Sequence, residues 1–354
     1  MRVLLIGAGR YGNGLIGKKY ARGELGTKLT GVVDPKIDEI KKTAEYALKG
    51  YPTYHSLSEV PRSIVQSCVN EVAIIPQIIP EVYKQLAEFG AKKIILPKPI
   101  VTNEADFNDI IELTNEEKIK ALVASNWHYS NITKLLKALL QKLTDGETNE
   151  SSTLPLDFQN FLNRVDSGYK ITKVDIDYNK KNEVLTIDPP LQELPHAMQI
   201  VYTSGITNLE KIKLVLKQCL QSRSCVNANI IDNNLPKTSI TLNTDLQMKE
   251  RLNKRRERLA KIYLEKDGES ALVTADYDAD FYQNGTCIKR PSISFESPGL
   301  KMKFDISEDN MNVMYKSMFK YLQGEENNSL TLEKYKPIAK RIFQIEELWK
   351  QATR

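Results

Sequence analysis

The segment Gly7-Ala8-Gly9-Arg10-Tyr11-Gly12 has the residue types and spacing of a dinucleotide-binding turn. It follows an apolar run at residues 3–6 and precedes a stretch compatible with a helix, the order that makes this pattern specific. The first glycine permits a tight turn, the second lets a pyrophosphate approach the backbone, and the third lets a helix pack closely on the strand. Amide groups at such a helix start bind phosphate. We therefore predict cofactor contacts at Gly7, Ala8, Gly9, Arg10, Tyr11 and Gly12.

An acidic residue, Asp34, ends the next apolar run at residues 29–33. A carboxylate roughly 20 residues beyond the glycines accepts hydrogen bonds from the ribose hydroxyls of a dinucleotide. Because a carboxylate repels a 2′-phosphate, Asp34 favours NAD over NADP. The cation of Lys36 nearby offsets part of that repulsion, so NADP stays open as the alternative cofactor.

Strand and helix patterns alternate through the first third of the chain. Beyond Asp34 the patterns predict strand 71–76, strand 93–96, helix 104–115 and strand 121–124. Such alternation predicts an α/β domain with a doubly wound parallel Rossmann sheet, in which ligands bind beyond the carboxyl ends of the strands. Pro76 ends the predicted strand 71–76, and Lys98 follows the predicted strand 93–96; we add both to the candidate cofactor residues.

The rest of the chain has a different periodicity. Apolar and polar residues alternate in several runs, as in 173–178, where Val174, Ile176 and Tyr178 share one face. Period two with one polar face predicts a mainly antiparallel, open-faced sheet in an α+β domain. Residues 144–160 are polar and rich in turn residues, which predicts a loop. We place the Rossmann domain at residues 1–126 and the second domain at 127–354, with a C-terminal helix at 331–351 that packs at the domain junction.

Composition excludes several other classes of protein. The chain has 354 residues, a formal net charge of +5 and 41% hydrophobic residues, as expected of a globular protein. Its four cysteines form no CxxC pattern and its three histidines are scattered, which argues against a disulfide framework or a metal site. The basic run at 249–258 has no nucleic-acid-binding motif beside it. Without a signal-peptide pattern or an apolar run of spanning length, we expect a cytoplasmic protein that binds neither membrane nor nucleic acid.

The order of motifs resembles the Gfo/Idh/MocA oxidoreductases. The matching segments are "VVDP", "YPTYHSLSEV", "VAIIP", "LPKPIVTNEADF" and "LVASNWHYS". Lys98 matches the lysine of the family's Glu-Lys-Pro motif, and "LQELPHAMQIVYTSG" resembles the family's second-domain helix and places His196 at its catalytic histidine. The resemblance implies hydride transfer between a nicotinamide and a small polar substrate, namely a sugar, a cyclitol or a derivative. It also implies a homo-oligomer, either a dimer or a tetramer.

Two residues depart from the family pattern. Pro97 stands where the family has the glutamate before Lys-Pro, and Gln192 stands where an aspartate precedes the histidine by four residues. An amide still forms hydrogen bonds, but it does not stabilise an imidazolium as a carboxylate does. The usual alcohol-oxidising relay of the family is therefore altered in this chain.

Within this resemblance, Lys98 and His196 are the predicted catalytic residues. An ammonium at Lys98 polarises the reacting group and stabilises developing negative charge, and a histidine with a pKa near ~6.5 exchanges a proton at neutral pH. Trp127, His128 and Gln192 are the predicted substrate-binding residues.

Three alternatives stay open. A site without the relay aspartate suits an NAD(P)H-dependent reduction of cyclic C=N bonds. The same departures suit a non-catalytic nucleotide-binding sensor or scaffold. A basic nucleic-acid partner would require a steep salt dependence of binding.

Overall fold

The computed structural model describes residues 1–43, 45–148, 154–180, 189–192, 194–209, 212–218, 225–232, 238–245, 256–277, 281–283, 286–289, 291–306, 309–325 and 329–353. Residues 249–255 of the basic run lie outside the described residues. The chain divides into two compact units. The first unit consists of Met1–Asn126 and Met311–Lys336, and the second consists of Trp127–Asn310 and Pro337–Arg354. Residues 311–336 thus belong to the first unit, although the division at residue 126 had assigned them to the second domain.

Strands and helices alternate through the N-terminal part of the first unit. Its strands are β1 (Arg2–Ile6), β2 (Lys28–Val33), β3 (Thr53–Tyr54), β4 (Val69–Val72), β5 (Lys93–Pro97) and β6 (Lys120–Ala124). Its helices are α1 (Lys18–Ala21), α2 (Ile37–Lys41), α3 (Arg62–Ser67), α4 (Ile79–Glu88) and α5 (Glu104–Glu116). A π-helical segment, Gly12–Gly17, precedes α1 and replaces the regular helix start expected after the glycines.

The first unit forms the predicted Rossmann sheet. Within the described chain it has six strands in the order β3-β2-β1-β4-β5-β6, and all neighbouring pairs are parallel. The strand order reverses between β1 and β4, and open α/β sheets bind ligands in the crevice at such a reversal. The residues of the central strands are buried on both faces of the sheet, which explains the continuous apolar runs in the sequence.

One predicted strand is displaced in the structure. The pattern placed a strand at 71–76, but β4 spans Val69–Val72 and Pro76 begins a 3-10 turn that leads into α4. Pro76 therefore does not lie at a strand end. The reason is that proline suits the first position of a helical turn, where its missing N–H has no role. The apolar side chains of Ile75 and Ile78 are exposed rather than buried in a strand.

The second unit combines a large sheet with short helices. Helices α6 (Asn126–Tyr129), α7 (Asn131–Asp145) and α8 (Leu156–Leu162) precede the first strand, and α9 (Pro189–Gln192) and α10 (Leu194–Thr203) follow it. The strands are β7 (Lys170–Lys180), β8 (Ile212–Gln218), β9 (Cys225–Asp232), β10 (Ser239–Asp245), β11 (Arg256–Lys266), β12 (Glu269–Asp276), β13 (Phe281–Gln283), β14 (Thr286–Lys289), β15 (Ser292–Ser297) and β16 (Leu300–Asp305).

The sheet of the second unit is mainly antiparallel, as predicted. Eight of its described strands follow the order β16-β15-β12-β11-β7-β10-β9-β8, and β13 and β14 form a separate hairpin. The pair β7–β10 is parallel, so the sheet is mixed. The predicted loop at 144–160 is wrong in part, because α7 continues to Asp145 and α8 occupies Leu156–Leu162. Phe158, Phe161 and Leu162 lie buried on one side of α8, a short apolar face that the neighbouring polar residues obscured.

Two helices complete the chain. They are α11 (Asn310–Gln323) and α12 (Leu332–Thr353), and the division between the two units falls inside α12 at Pro337. No helix in the described part of the chain has the length and apolar content needed to cross a membrane. Nor do the described side chains include a group of three or more that could hold a metal ion.

Candidate functional site

The turn after β1 depends on the absence of a side chain at Gly7. Gly7 has φ +99, a left-handed value that favours glycine, and its amide donates a hydrogen bond to the Val33 carbonyl over 2.8 Å. A Cβ at Gly7 would lie 2.5 Å from the Ala73 carbonyl oxygen. Contacts with the ends of β2 and β4, the two strands that flank β1, therefore hold the turn in place.

The other two glycines of the turn have different surroundings. A Cβ at Gly12 would lie 1.9 Å from the Gly7 carbonyl oxygen, whereas a Cβ at Gly9 would meet nothing within 4 Å. Gly9 and Arg10 are exposed, and Ala8 is buried. The backbone at Gly9 thus offers an open approach of the kind that a pyrophosphate requires, and the residues present fit a dinucleotide.

Asp34 is directed at this turn. Its Oδ2 accepts a hydrogen bond from the Ala8 amide over 2.7 Å, and its Oδ1 accepts one from the Lys36 amide over 2.8 Å. The carboxylate therefore lies beside the glycine turn at the carboxyl end of β2. This position, combined with its negative charge, suits the hydroxyls of a ribose and disfavours a 2′-phosphate.

Lys98 directly follows the carboxyl end of β5 and is half-buried. It comes from the strand next to β4 in the sheet, so the backbone places it on the same sheet edge as the glycine turn. The exposed apolar residues Ile75 and Ile78 follow β4 on this edge. Apolar side chains of this kind suit the rings of a cofactor.

A buried carboxylate lies in the strand beside β1, and the sequence patterns did not indicate it. Glu71 in β4 is 1% exposed and accepts hydrogen bonds from the hydroxyls of Tyr20 and Tyr315. The Tyr315 hydroxyl lies 3.2 Å from that of Tyr11, within the glycine turn. Burial raises the pKa of Glu71 to about 7, and the two phenol hydrogen bonds act in the opposite direction. Burial also raises the pKa values of Tyr11, Tyr20 and Tyr315.

In the second unit, the structure brings His196 and Trp127 together. The ring centres of His196 and Trp127 are 6.3 Å apart, and those of His196 and Tyr178 are 4.9 Å apart. The indole N–H of Trp127 donates to the Tyr178 hydroxyl over 2.9 Å. The Tyr277 ring also packs against Trp127, with 4.9 Å between the two ring centres. We refer to Trp127, Tyr178, His196, Tyr277 and Arg258 as the aromatic cluster.

The local sequence did not indicate that Arg258 belongs to the aromatic cluster. Arg258 is the last residue of the basic run at 249–258, and its guanidinium carbon lies 4.9 Å from the Tyr178 ring centre and 5.9 Å from that of Trp127. Its Nε is buried. Alternation in β11 directs Arg258 toward the rings because it pairs with Tyr178 in the register of β7 and β11. This register, and not the local charge, decides where the side chain goes.

Trp127 itself is 1% exposed, so its ring has no face to offer a substrate. This burial does not support the prediction that Trp127 contacts substrate; Trp127 packs against His196 and donates a hydrogen bond to Tyr178. His128, the next residue, is tied to α10, where its Nδ1 lies 3.4 Å from the Thr203 hydroxyl and 3.5 Å from the Gln199 amide nitrogen. Gln192 ends α9, and its side chain lies outside the described residues.

Comparison with known families gives a match in the first unit. The Gfo/Idh/MocA family, described as an oxidoreductase family with an NAD-binding Rossmann fold, matches residues 1–125. This confirms the resemblance inferred from the motifs. A search among curated proteins finds no match to the chain.

Several solved structures share the fold over nearly the whole chain. UDP-N-acetylglucosamine 3-dehydrogenase GnnA from Acidithiobacillus ferrooxidans has 13% identity and a TM-score of 0.65, and the match covers 98% of this chain and 96% of that one. KijD10, a 3-ketoreductase from Actinomadura kijaniata in complex with TDP-benzene and NADP, has 11% identity and a TM-score of 0.66, with 98% and 96% covered. An oxidoreductase from Agrobacterium radiobacter, in complex with NAD⁺, L-tartaric acid and magnesium, has 11% identity and a TM-score of 0.65, with 100% and 96% covered. At these identities the likeness establishes the two-domain fold.

Proposed function

We propose that the protein transfers hydride between NAD and a small polar substrate, in keeping with the match of residues 1–125 to the Gfo/Idh/MocA oxidoreductase family. The proposed substrate class is a sugar, a cyclitol or a derivative, and GnnA and KijD10, two of the similar structures, are a UDP-N-acetylglucosamine 3-dehydrogenase and a 3-ketoreductase. The observation that carries the proposal is the carboxylate of Asp34, held on the Ala8 amide beside an open Gly9.

The residues of the first unit would hold the cofactor by two features. The open backbone at Gly9 admits the pyrophosphate, and Asp34 accepts hydrogen bonds from the ribose hydroxyls. Asp34 then exchanges the Ala8 amide for a ligand hydroxyl, or keeps one oxygen on each, since a carboxylate accepts several hydrogen bonds. When bound, the nicotinamide supplies or accepts the hydride. The negative charge of Asp34 is the reason that we propose NAD rather than NADP.

Lys98 has the role of polarising the reacting oxygen. A half-buried ammonium interacts more strongly with a developing negative charge than one in water. It donates a hydrogen bond to the oxygen of an alcohol or carbonyl and stabilises the alkoxide character of the transition state. Replacing Lys98 with Ala should therefore lower kcat far more than it weakens cofactor binding.

His196 has the role of exchanging the proton with the substrate. Its ring is held by Tyr178 and Trp127, which fixes its orientation without the aspartate that the family usually provides. A histidine in this setting gives a proton to the product oxygen in reduction, or takes one in oxidation. His128 of α6 lies beside Gln199 and Thr203 of α10, the helix that carries His196. We propose that His128 binds substrate through its Nε2.

The experiment combines a binding titration with a turnover screen. The purified protein is titrated with NADH and NADPH by fluorescence, and oxidation or reduction of the cofactor is then followed by absorbance with sugars, cyclitols, their keto forms and cyclic imines. We expect NADH to bind more tightly and a polyol or its ketone to turn over. Turnover of cyclic imines alone would replace the proposal with C=N reduction, and binding without any turnover would favour a nucleotide sensor.

Variants separate the two catalytic roles. Lys98→Ala should reduce turnover by about 100-fold or more with little change in NADH affinity, and Lys98→Arg should recover part of the loss because it retains the charge. His196→Gln should lower kcat similarly, whereas the matched variant His128→Gln should mainly raise KM. If Lys98→Ala and His196→Gln both turned over like the unmodified protein, the assigned roles would be wrong.

We propose in addition that the protein works as a homo-oligomer in the cytoplasm. One face of the second sheet is polar at its edge, where Lys301, Lys303 and Asp305 of β16 are exposed in alternation with half-buried residues. Light scattering on the purified protein would give a dimer or tetramer mass, and a monomer at micromolar concentration would contradict the proposal.

A further inference from the structure

Glu71 is a carboxylate in the centre of the Rossmann sheet, where most of the buried side chains are apolar. It lies in β4 and pairs in register with Leu5 of β1 and Ile95 of β5. It is 1% exposed. A carboxylate is rarely placed so deep unless its oxygens are hydrogen-bonded, and the role of this one is not explained by the cofactor residues described above.

Each oxygen of Glu71 has its own phenol partner. Oε2 accepts from the Tyr20 hydroxyl in α1, and Oε1 accepts from the Tyr315 hydroxyl in α11. The Tyr315 hydroxyl also lies 3.2 Å from that of Tyr11. A chain of hydrogen bonds therefore leads from the carboxylate in β4, through Tyr315 of α11, to Tyr11 in the glycine turn.

A second contact fixes α11 to the same part of the first unit. The Lys19 ammonium donates to the Asn312 side-chain oxygen over 3.1 Å, and it also pairs with Glu24 at 3.0 Å. Lys19 follows the glycine turn in α1, and Asn312 lies one turn before Tyr315 in α11. Tyr315 is thus held in place by a contact that does not involve Glu71.

We propose that Glu71 is a positioning residue which, through Tyr315, sets the hydrogen-bond direction and orientation of Tyr11 and so controls how tightly the glycine turn holds the cofactor. This inference rests on the proposed NAD-binding function. It adds to that function a proton-dependent control of cofactor affinity.

The protonation state of Glu71 determines the direction of the hydrogen bonds. An ionised carboxylate only accepts, so Tyr20 and Tyr315 both donate to it, and the Tyr315 oxygen is left to accept from Tyr11. A neutral carboxyl group carries one O–H donor, so one of the two phenols has to become an acceptor. When that phenol is Tyr315, its own proton turns toward Tyr11, and Tyr11 no longer donates to it.

Glu71 has few titratable neighbours among the residues that the structure describes. Those that face it are phenols, namely Tyr20 from α1, Tyr315 from α11, and Tyr11 beyond Tyr315. From the neighbouring strands it pairs with Leu5 and Ile95. Burial raises the pKa of Glu71 to about 7, whereas the phenols, whose pKa values are raised, keep their protons. The exchange of a proton at Glu71 therefore occurs in the neutral pH range.

The test measures the dissociation constant of NADH as a function of pH, from about pH 5.5 to 8.5, in the full-length protein and in three variants. In the unmodified protein, affinity should rise by about two- to tenfold as Glu71 ionises, the worth of one constrained hydrogen bond. Glu71→Gln and Tyr315→Phe should both remove this pH dependence. Tyr20→Phe is the matched control: it removes the other hydrogen bond to Glu71 and leaves the connection to Tyr11 intact.

The control gives a readout that a merely structural role would not produce. Because the Tyr20 hydrogen bond lowers the pKa of Glu71, Tyr20→Phe should keep the pH dependence and move its midpoint to higher pH. If Glu71→Gln or Tyr315→Phe showed the same pH dependence as the unmodified protein, the inference would be overturned while the cofactor site stood. If the unmodified protein bound neither NADH nor NADPH at any pH, the proposed function itself would fail, and this inference with it.

Discussion

The glycine turn at residues 7–12 is a structure of the backbone, whereas the aromatic cluster of the second unit is a structure of side chains. In the turn, positions are set by a left-handed φ at Gly7 and by the close approach of Gly12 to the Gly7 carbonyl. In the cluster, Trp127, Tyr178 and Arg258 are fixed by ring contacts and one hydrogen bond. The turn therefore tolerates change where its backbone is open, and the cluster tolerates change where a similar volume is retained.

The two regions also treat polar groups differently. The turn leaves Gly9 and Arg10 exposed, and beside it the carboxylate of Asp34 is half-buried and hydrogen-bonded to the Ala8 amide. The cluster buries the Trp127 N–H and satisfies it internally with the Tyr178 hydroxyl. This difference agrees with the proposed roles, in which the turn binds the cofactor and the cluster orients His196.

The largest effect is expected from truncating the buried indole. Trp127→Ala should lower the free energy of unfolding by about 3–5 kcal/mol, because it removes a large side chain from a packed interior. Tyr178→Phe should cost about 1–3 kcal/mol, since it leaves the Trp127 N–H without an acceptor. Urea denaturation would measure both. A double-mutant cycle compares Trp127→Phe, Tyr178→Phe and the variant that carries both. The double variant should lose less free energy of unfolding than the sum of these two single variants, and additive losses would show that the hydrogen bond does not couple the two rings.

The next effect is expected in the turn, from a change that adds a single carbon. Gly12→Ala should lower the free energy of unfolding by roughly 3 kcal/mol and abolish NADH binding, because its Cβ would fall 1.9 Å from the Gly7 carbonyl oxygen and the backbone has to move. Gly14→Ala is the matched control in the same segment, since a Cβ there would meet nothing within 4 Å. Thermal unfolding and NADH titration would check both, and a Gly14→Ala protein as damaged as Gly12→Ala would refute this reading of the turn.

An effect of similar size on the free energy of unfolding, but without loss of cofactor binding, should appear in the pH dependence of stability. The pKa of Glu71 is raised from 4.5 to about 7 by burial, so the folded state binds this proton more tightly than the unfolded chain. The stabilisation is complete below about pH 4.5 and is lost as the pH rises through about 7, a change of about 3 kcal/mol. Urea denaturation at several pH values should show this decline in the unmodified protein and not in Glu71→Gln. The exposed Glu88→Gln should retain it, and an identical decline in Glu71→Gln would assign it to other groups.

The smallest effect concerns Asp34, the carboxylate that we propose binds the ribose of the cofactor. Asp34→Asn keeps the size of the side chain but loses the charge and one acceptor, so NADH affinity should fall by about tenfold while NADPH affinity changes little or improves. Fluorescence titration with both cofactors would measure the ratio. Lys36→Ala serves as the comparison, since Lys36 contacts Asp34 through its backbone amide. An unchanged NADH to NADPH ratio in Asp34→Asn would remove Asp34 from the specificity of the site.

The sequence predicted the parts of the site that local spacing determines. Strand, glycine turn and Asp34 lie within the first 34 residues, and their geometry follows from backbone rules that apply to any chain. The Rossmann sheet and the mainly antiparallel second sheet were likewise evident from periodicity. The strand at 71–76 was misplaced because an apolar run does not show where a strand ends and an extended segment begins.

The parts that were missed depend on contacts between distant residues. Glu71 meets Tyr315, 244 positions away, and no local pattern connects a glutamate in an apolar strand with a tyrosine on a late helix. Arg258 meets Tyr178 through the register of two strands. The sequence also did not show that α11, which carries Tyr315, belongs to the first unit, because sequence spacing does not record which core a helix joins.

The central claim is that the open glycine turn with Asp34 binds a dinucleotide, and fluorescence titration of the unmodified protein and of Gly9→Ala with NADH tests it most directly. A Cβ at Gly9 meets no protein atom within 4 Å, so the variant should unfold at the same temperature as the unmodified protein. Its added carbon nevertheless occupies the approach of the pyrophosphate, and NADH affinity should fall by about tenfold or more. Equal NADH binding by the two proteins, or no binding by the unmodified protein, would contradict the account.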